Sequence, residues 1–279
     1  MFIGVARKFF FEYVFSMNAM RTDITLRQAL LLDQGAVICL VGAGGKTSLM
    51  FRLARELAAS GDRVLTTTTT KISEQEAIRN SSEIVTGSVR ALLSQAGDNR
   101  QSSTGMTAAR GGYAGKLTGF DAGDIDRLWQ SGLFDWIIVE ADGAARLPLK
   151  TPDAHEPVIP DSCDWVVGVA GLTAFGKPLS DQWVFRLKLF ARLTGLELGS
   201  PITAAAITTS ICHPGGIFKG APRTSRRVVF LNQADTPERV QAGRHISASI
   251  EKQYQEFGIQ RVVLGKLLYD PPVVEVFNL

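Results

Sequence analysis

One stretch constrains this chain more than any other. Ala36–Val41 is a short apolar run that ends in glycines, Gly42-Ala43-Gly44-Gly45, followed by Lys46-Thr47-Ser48. From Thr47 to Ala59 the apolar residues Leu49, Met50, Leu53 and Leu57 recur at helical spacing, and Gly61 supplies a stop. Arg63–Thr67 then reads as a second strand. Strand, glycine turn, helix, strand is a βαβ unit, which demands a parallel sheet. The glycines let successive N–H groups converge on one oxyanion, and a helix N-terminus adds partial positive charge. Such a turn binds phosphate, with Lys46 reaching the β and γ phosphates and the Thr47 hydroxyl holding Mg²⁺. The predicted cradle is Gly42, Ala43, Gly44, Gly45, Lys46, Thr47 and Ser48. It is a short form, G-x-x-G-K-T; the longer spacing would need a glycine where Leu40 stands.

Further elements fit one doubly wound α/β fold of the P-loop NTPase-like kind, a mostly parallel sheet with helices on both faces. Helices are expected over Gly87–Gln95, Asp121–Ser131, Asp181–Thr194 and Pro237–Phe257. Strands are expected over Trp136–Val139, Trp165–Ala170, Arg227–Leu231 and Arg261–Leu264. Gly97–Tyr113 is polar and glycine-rich and reads as a loop. The 279 residues carry no composition break. Residues 21–279 are therefore expected to form a single domain with loop inserts around 97–120 and 143–180. Residues 1–20, with the aromatic cluster Phe9–Phe11, Tyr13 and Phe15, read as a flexible or loosely docked extension.

Composition narrows the function. Thirty basic residues against 27 acidic give a formal charge of +3, without the dense basic face that nucleic acid requires. The three cysteines, Cys39, Cys163 and Cys212, lack metal-site or disulfide spacing. No segment reaches transmembrane length, which points to the cytoplasm.

Two later strand ends carry chemistry. Trp136–Val139 delivers Glu140 and Asp142 near the phosphate loop. Asp142 is assigned to the metal, and Glu140 to support or to activating water; the reverse assignment stays open. Asn232-Gln233-Ala234-Asp235 closes another strand and resembles the N-K-x-D element of GTPases, in which the Asp carboxylate pairs with guanine. Gln233 stands where the lysine is expected, so a guanine preference would be incomplete. Asp235 also precedes Thr236-Pro237 and can cap a helix.

Further candidates are more diffuse. Thr66–Thr70 and Lys71 lie at the ligand-binding end of a parallel sheet. His155 and His213 sit in Pro- or Gly-rich loops and could share a metal, or serve as ordinary loop residues. Arg146, Lys150, Lys177 and Lys219 could form a basic wall for an anionic substrate, or be solvated surface cations.

The segments VGAGGKTS, VLTTTTTKI, IIVEADGAARLPLK, HEPVIP, GLTAFGKPL, HPGGIFKGAP and VVFLNQAD occur in this order. Together they resemble the selenium-dependent hydroxylase accessory proteins of the YqeC type, over roughly Gly35 to Leu264. Phe185 departs from the pattern, which has His in V-H-R after G-K-P-L. The resemblance implies a P-loop fold and a role beside molybdenum hydroxylases, in maturation or in insertion of a molybdopterin cofactor. It supplies no reaction. The reading is thus a Mg²⁺-dependent protein that binds ATP or GTP, with Lys46, Glu140 and Asp142 as catalytic residues. Two alternatives are a Mur-type ligase or nucleotidyl-transfer enzyme, which can also open with G-x-x-G-K-T, and a non-hydrolysing, nucleotide-gated scaffold.

Overall fold

The computed structural model describes residues 24–98, 105–253 and 255–279. The extension expected over 1–20 lies outside them. Helix α1 (Leu26–Ala29) precedes strand β1 (Ala36–Gly42), helix α2 (Lys46–Ala59) and strand β2 (Val64–Thr68). The chain continues through β3 (Lys71–Ser73), α3 (Glu74–Asn80), β4 (Glu83–Thr86), α4 (Val89–Asp98) and β5 (Met106–Ala109). A hairpin of β6 (Gly111–Tyr113) and β7 (Lys116–Thr118) leads to α5 (Ala122–Gln130) and β8 (Trp136–Glu140). Next come β9 (Leu149–Lys150), β10 (Cys163–Gly171), β11 (Val184–Phe185), α6 (Leu187–Thr194) and α7 (Ala204–Cys212). The last elements are β12 (Arg226–Asn232), α8 (Pro237–Gln253), β13 (Ile259–Gly265) and β14 (Val273–Asn278).

Nine strands form the central sheet in the order β14-β13-β12-β10-β1-β8-β2-β5-β4. Its pairings are parallel except that of β14, which runs antiparallel to β13. Strand β1 is buried along its whole length and its residues alternate between two cores. Val37, Cys39 and Val41 join Leu92, Ile125, Phe190, Ile207 and Ile246, from α4 to α8. Ala36, Ile38 and Leu40 join Leu26, Leu49, Met50, Leu53 and Ala77, from α1, α2 and α3. Helices therefore cover both faces, as the βαβ pattern requires. No helix among the described residues is long and apolar enough to cross a membrane.

Several elements depart from expectation. The loop expected over 97–113 contains β5, which sits inside the sheet between β2 and β4. Met-Thr-Ala-Ala has no apolar alternation to announce a strand; it is held by ladders and hydroxyls. The Thr66 and Thr107 hydroxyls lie 2.6 Å apart, and Thr67 Oγ1 donates to the Ala108 carbonyl at 2.8 Å. The strand expected over Trp165–Ala170 is present as β10, Cys163–Gly171, and pairs directly with β1. The helix expected from Asp181 begins only at Leu187, because Arg186 has left-handed backbone angles (φ 61°, ψ 52°).

Candidate functional site

The parallel strands deliver their carboxyl ends to one edge of the sheet, where such folds bind ligands. Gly42 stands opposite Val169 of β10, Leu40 opposite Glu140 of β8, and Gly171 opposite Asn232 of β12. The turn Gly42–Gly45 lies at this edge and α2 starts from it. Gly42, Gly44 and Gly45 all have positive φ (92°, 86° and 131°), which L side chains rarely adopt. A Cβ on Gly45 would overlap the Asn232 amide. That amide donates to the Gly44 carbonyl (2.7 Å), while Asn232 Oδ1 accepts from Leu267 N (3.1 Å). Asn232 thus clamps the loop to the β13–β14 connection.

The loop divides into two halves. The Gly42 amide donates to Asp142 Oδ2 (3.2 Å), Ala43 to the Val169 carbonyl (2.9 Å) and Gly44 to the Leu147 carbonyl (3.0 Å). These three amides, expected to face phosphate, are engaged by protein. No side chain caps the first turn of α2, so the open donors are those of Gly45, Lys46, Thr47 and Ser48.

Lys46 is 3% exposed. Its ammonium donates to the Gly42 carbonyl (2.6 Å) and lies 3.0 Å from Asp142 Oδ1 and 3.8 Å from Glu140 Oε1. Desolvation pulls its pKa down, but the Asp142 and Glu140 charges outweigh that and raise it, so the lysine is charged. The Asp142 Oδ1 contact is an ion pair without hydrogen-bond geometry, and this fully buried oxygen has no hydrogen-bond partner. The Thr47 hydroxyl donates to Glu140 Oε2 at 2.7 Å. It is therefore Glu140 that stands beside Thr47, whereas Asp142 stands between two lysines. Burial raises the Glu140 pKa, only partly offset by Lys46 and Thr47.

The second lysine is Lys150, 1% exposed. Its ammonium lies 2.8 Å from Asp142 Oδ2 and donates to Glu156 Oε2 and to the Gly143 carbonyl, both at 2.6 Å. Arg186 binds the same Glu156 through two nitrogens, at 2.5 and 2.9 Å, and lies 3.5 Å from Asp153. Burial would push the Glu156 carboxyl up, but hydrogen bonds and charge from Arg186 and Lys150 hold it down at about 2. Phe185 packs its ring against both cations, 5.8 Å from Lys150 and 4.8 Å from Arg186. A continuous chain of charge thus runs from Glu140 through Lys46, Asp142, Lys150 and Glu156 to Arg186.

Other predicted residues are placed as follows. The hydroxyls of Thr66, Thr67, Thr68 and Thr69 bond to Met106, Ala108, Glu140 and Val158 carbonyls, so they stitch backbone together. Asp235 is exposed and pairs with Arg239 one turn along (2.5 Å), while Thr236 caps α8. Gln233 turns to Thr173, whose hydroxyl donates to it at 2.7 Å. His155 and His213 are both exposed, and the described residues hold no group of three metal-ligating side chains. Their loops do meet, because Lys219 donates to the Asp153 and Ala154 carbonyls. Lys177 lies over the Trp183 ring at 5.5 Å. Glu156 and Arg186 were not singled out as site residues from sequence; the HEPVIP segment for Glu156 and the V-H-R pattern for Arg186 were their local signals.

The profile of the family described as YqeC protein matches residues 38–188, which runs from β1 through Arg186. The Escherichia coli (strain K12) protein named "Uncharacterized protein YqeC" is 35% identical over 254 residues, covering 89% of this chain and 96% of its own. The chain belongs to the YqeC family. The YqeC match thus contains the phosphate loop, both acids and the whole charge chain. Among solved structures, chloroplast FtsY from Physcomitrella patens is similar with a TM-score of 0.45 and 12% identity, covering 98% of this chain and 71% of that one. FtsY from Mycoplasma mycoides gives a TM-score of 0.36 and 10% identity, covering 88% and 65%. Neither likeness bears on what the YqeC chain binds.

Proposed function

We propose that this YqeC-family chain is a Mg²⁺-dependent nucleotide-binding protein and an NTPase, assisting maturation or cofactor insertion of selenium-dependent molybdenum hydroxylases. The observation that carries the nucleotide reading is the pairing of Thr47 with Glu140 at the open N-terminus of α2, beside the buried Lys46. The Thr47 hydroxyl and the Glu140 carboxylate are hard oxygen donors that suit Mg²⁺, so in this reading Glu140, not Asp142, is the acid that shares the metal with Thr47. Thr47 and Glu140 would hold the ion, and it would neutralise phosphate charge.

The electrostatics support the metal dependence. Lys46, Lys150 and Arg186 face four carboxylates, Glu140, Asp142, Glu156 and Asp153. A triphosphate without its cation would meet a site already rich in negative charge. On binding, Lys46 exchanges the Gly42 carbonyl for phosphate oxygens, while Asp142 keeps Lys150 and the Gly42 amide. Both purine nucleotides fit the reading. Asp235 is already paired with Arg239, so a guanine edge must compete for it and any preference for GTP over ATP is incomplete. The role beside a molybdenum hydroxylase rests on the family resemblance.

The test is titration and phosphate release with Mg-ATP and Mg-GTP, alone and with a molybdopterin compound, for the wild type and for Lys46→Ala. Loss of binding or turnover in the folded variant is expected; equal affinities and rates would sink the assignment. A product dependent on the added compound would indicate the ligase or transferase, and binding without turnover the scaffold. Glu140→Gln should weaken Mg-nucleotide more than metal-free nucleotide, whereas Asp142→Asn should weaken both.

A further inference from the structure

Gly143–Lys150 lies over the phosphate loop as a strap. Its Leu147 carbonyl accepts from Gly44 N at 3.0 Å, and its Pro148 carbonyl accepts from Gly171 N at 2.8 Å. A Cβ on Gly44 would overlap both the Pro148 carbonyl and the Gly171 backbone, so strap and loop are in direct contact. Lys150 fastens the far end through Gly143 and Asp142.

Between these anchors Leu147 N donates to the Ala144 carbonyl at 2.9 Å, closing a four-residue turn. Its central residues, Ala145 and Arg146, both have left-handed φ, 49° and 62°. Turns with two positive φ values are built from Gly, Asn and Asp, and a side-chain pair such as Ala-Arg is disfavoured there. Strain of this kind persists only where the surroundings hold it, and it gathers where a ligand is handled. Here the anchors that hold it are the phosphate loop and Gly171.

Arg146 is exposed at the crest of this turn and makes no ion pair or hydrogen bond among the described residues. Lys46, Lys150 and Arg186, by contrast, are each bound to carboxylates. The Arg146 Cα is one residue, about 3.8 Å, from that of Leu147, and its side chain spans roughly 6 Å more by standard bond lengths. The Leu147 carbonyl accepts from Gly44 N, so Arg146 is anchored one residue from the loop and its length is sufficient to approach a ligand held there. A guanidinium also matches phosphate oxygens in pairs, which an ammonium does not.

We propose that Arg146 contacts the terminal phosphate of the bound nucleoside triphosphate, so that the strap distinguishes triphosphate from diphosphate. The inference rests on the nucleotide reading above and assigns its phosphate selectivity. Lys46, Lys150 and Arg186 are already shared among four carboxylates, and Arg146 adds a cation with no carboxylate partner among the described residues.

The experiment compares affinities of a Mg-bound, non-hydrolysable ATP analogue and of Mg-ADP by calorimetric titration, repeated with the guanine pair. The proteins are the full chain, Arg146→Asn, which removes the cation while tolerating the left-handed backbone, and Arg146→Lys. The wild type should prefer the triphosphate by about tenfold to a hundredfold, the value of one or two charge-assisted hydrogen bonds. In Arg146→Asn that ratio should fall to within about twofold with the diphosphate affinity nearly unchanged, and Arg146→Lys should fall between. An unchanged ratio in Arg146→Asn, or equal weakening of both ligands, overturns the proposal and leaves the nucleotide reading intact. A wild type that binds neither ligand sinks the nucleotide reading and this inference with it.

Discussion

Replacing Lys150 with Met would keep the side-chain stem and delete the ammonium. The residue is 1% exposed, and its nitrogen lies 2.6 Å from Glu156, 2.6 Å from the Gly143 carbonyl and 2.8 Å from Asp142. After the change the fully buried Asp142 retains Lys46 and the Gly42 amide, and Glu156 retains Arg186. Removing one partner from a buried ion pair costs about 3–5 kcal/mol, because the remaining charge stays buried without its counter-charge. Two carboxylates lose a partner here but neither is left bare, so about 4 kcal/mol is expected. For a chain of this length, unfolding entropy of about 2.1 cal/mol/K per residue converts 1 kcal/mol to roughly 2 °C. The melting temperature should therefore fall by about 6–10 °C. Thermal melts at neutral pH measure it, with Lys188→Met, an exposed lysine on α6, as the control that should move by less than about 1 °C. Asp142→Asn made in both backgrounds supplies the coupling, and the two losses should be less than additive. A Lys150→Met protein melting within about 2 °C of wild type, or strict additivity with Asp142→Asn, would refute the charge chain as a stabilising unit.

The other predictions follow from the same geometry. Gly45→Ala places a Cβ on the Asn232 amide at a φ of 131°, and Mg-nucleotide affinity should drop by at least about tenfold in titration. The Glu156 pKa is depressed from 4.5 to about 2, so its contribution is fully present above about pH 4.5 and is lost as pH falls towards 2. Urea unfolding across that window should show a loss of about 1–2 kcal/mol after allowance for solvent screening, and Glu156→Gln should abolish this part of the acid dependence.

The phosphate loop was legible because it needs only local signals: an apolar run, glycines and a 3.6-residue period. The strand ending in Glu140 was legible for the same reason. The segments that were missed owe their structure to distant partners. Met106–Ala109 becomes a strand because Leu65 and Thr66 lie beside it in register. Helix α7, Ala-Ala-Ala-Ile-Thr-Thr-Ser-Ile-Cys, is buried on more than one face and so has no amphipathic stripe. Strand β14 follows two prolines, and among the described residues it pairs with β13 alone. At the site, Lys150, Glu156 and Arg186 are spread over 37 residues of sequence and meet only because β9 and β11 pair. The expected helix start at Asp181 fails for the same reason that Arg186 was missed. Val184 and Phe185 pair with Leu149 and Lys150, and Arg186 follows them with left-handed angles, so the helix starts only at Leu187.

Phe185 carries a consequence for how the charge chain answers to its surroundings. Its ring lies against Lys150 and Arg186, at the position where the resemblance leads one to expect histidine. An imidazole there would titrate near neutrality and would add or remove a positive charge between two others. A phenyl ring has no proton to exchange, and its face attracts both cations at every pH. With Phe185 the junction has fixed polarity, so a neutral-range acid shift would pass it unregistered.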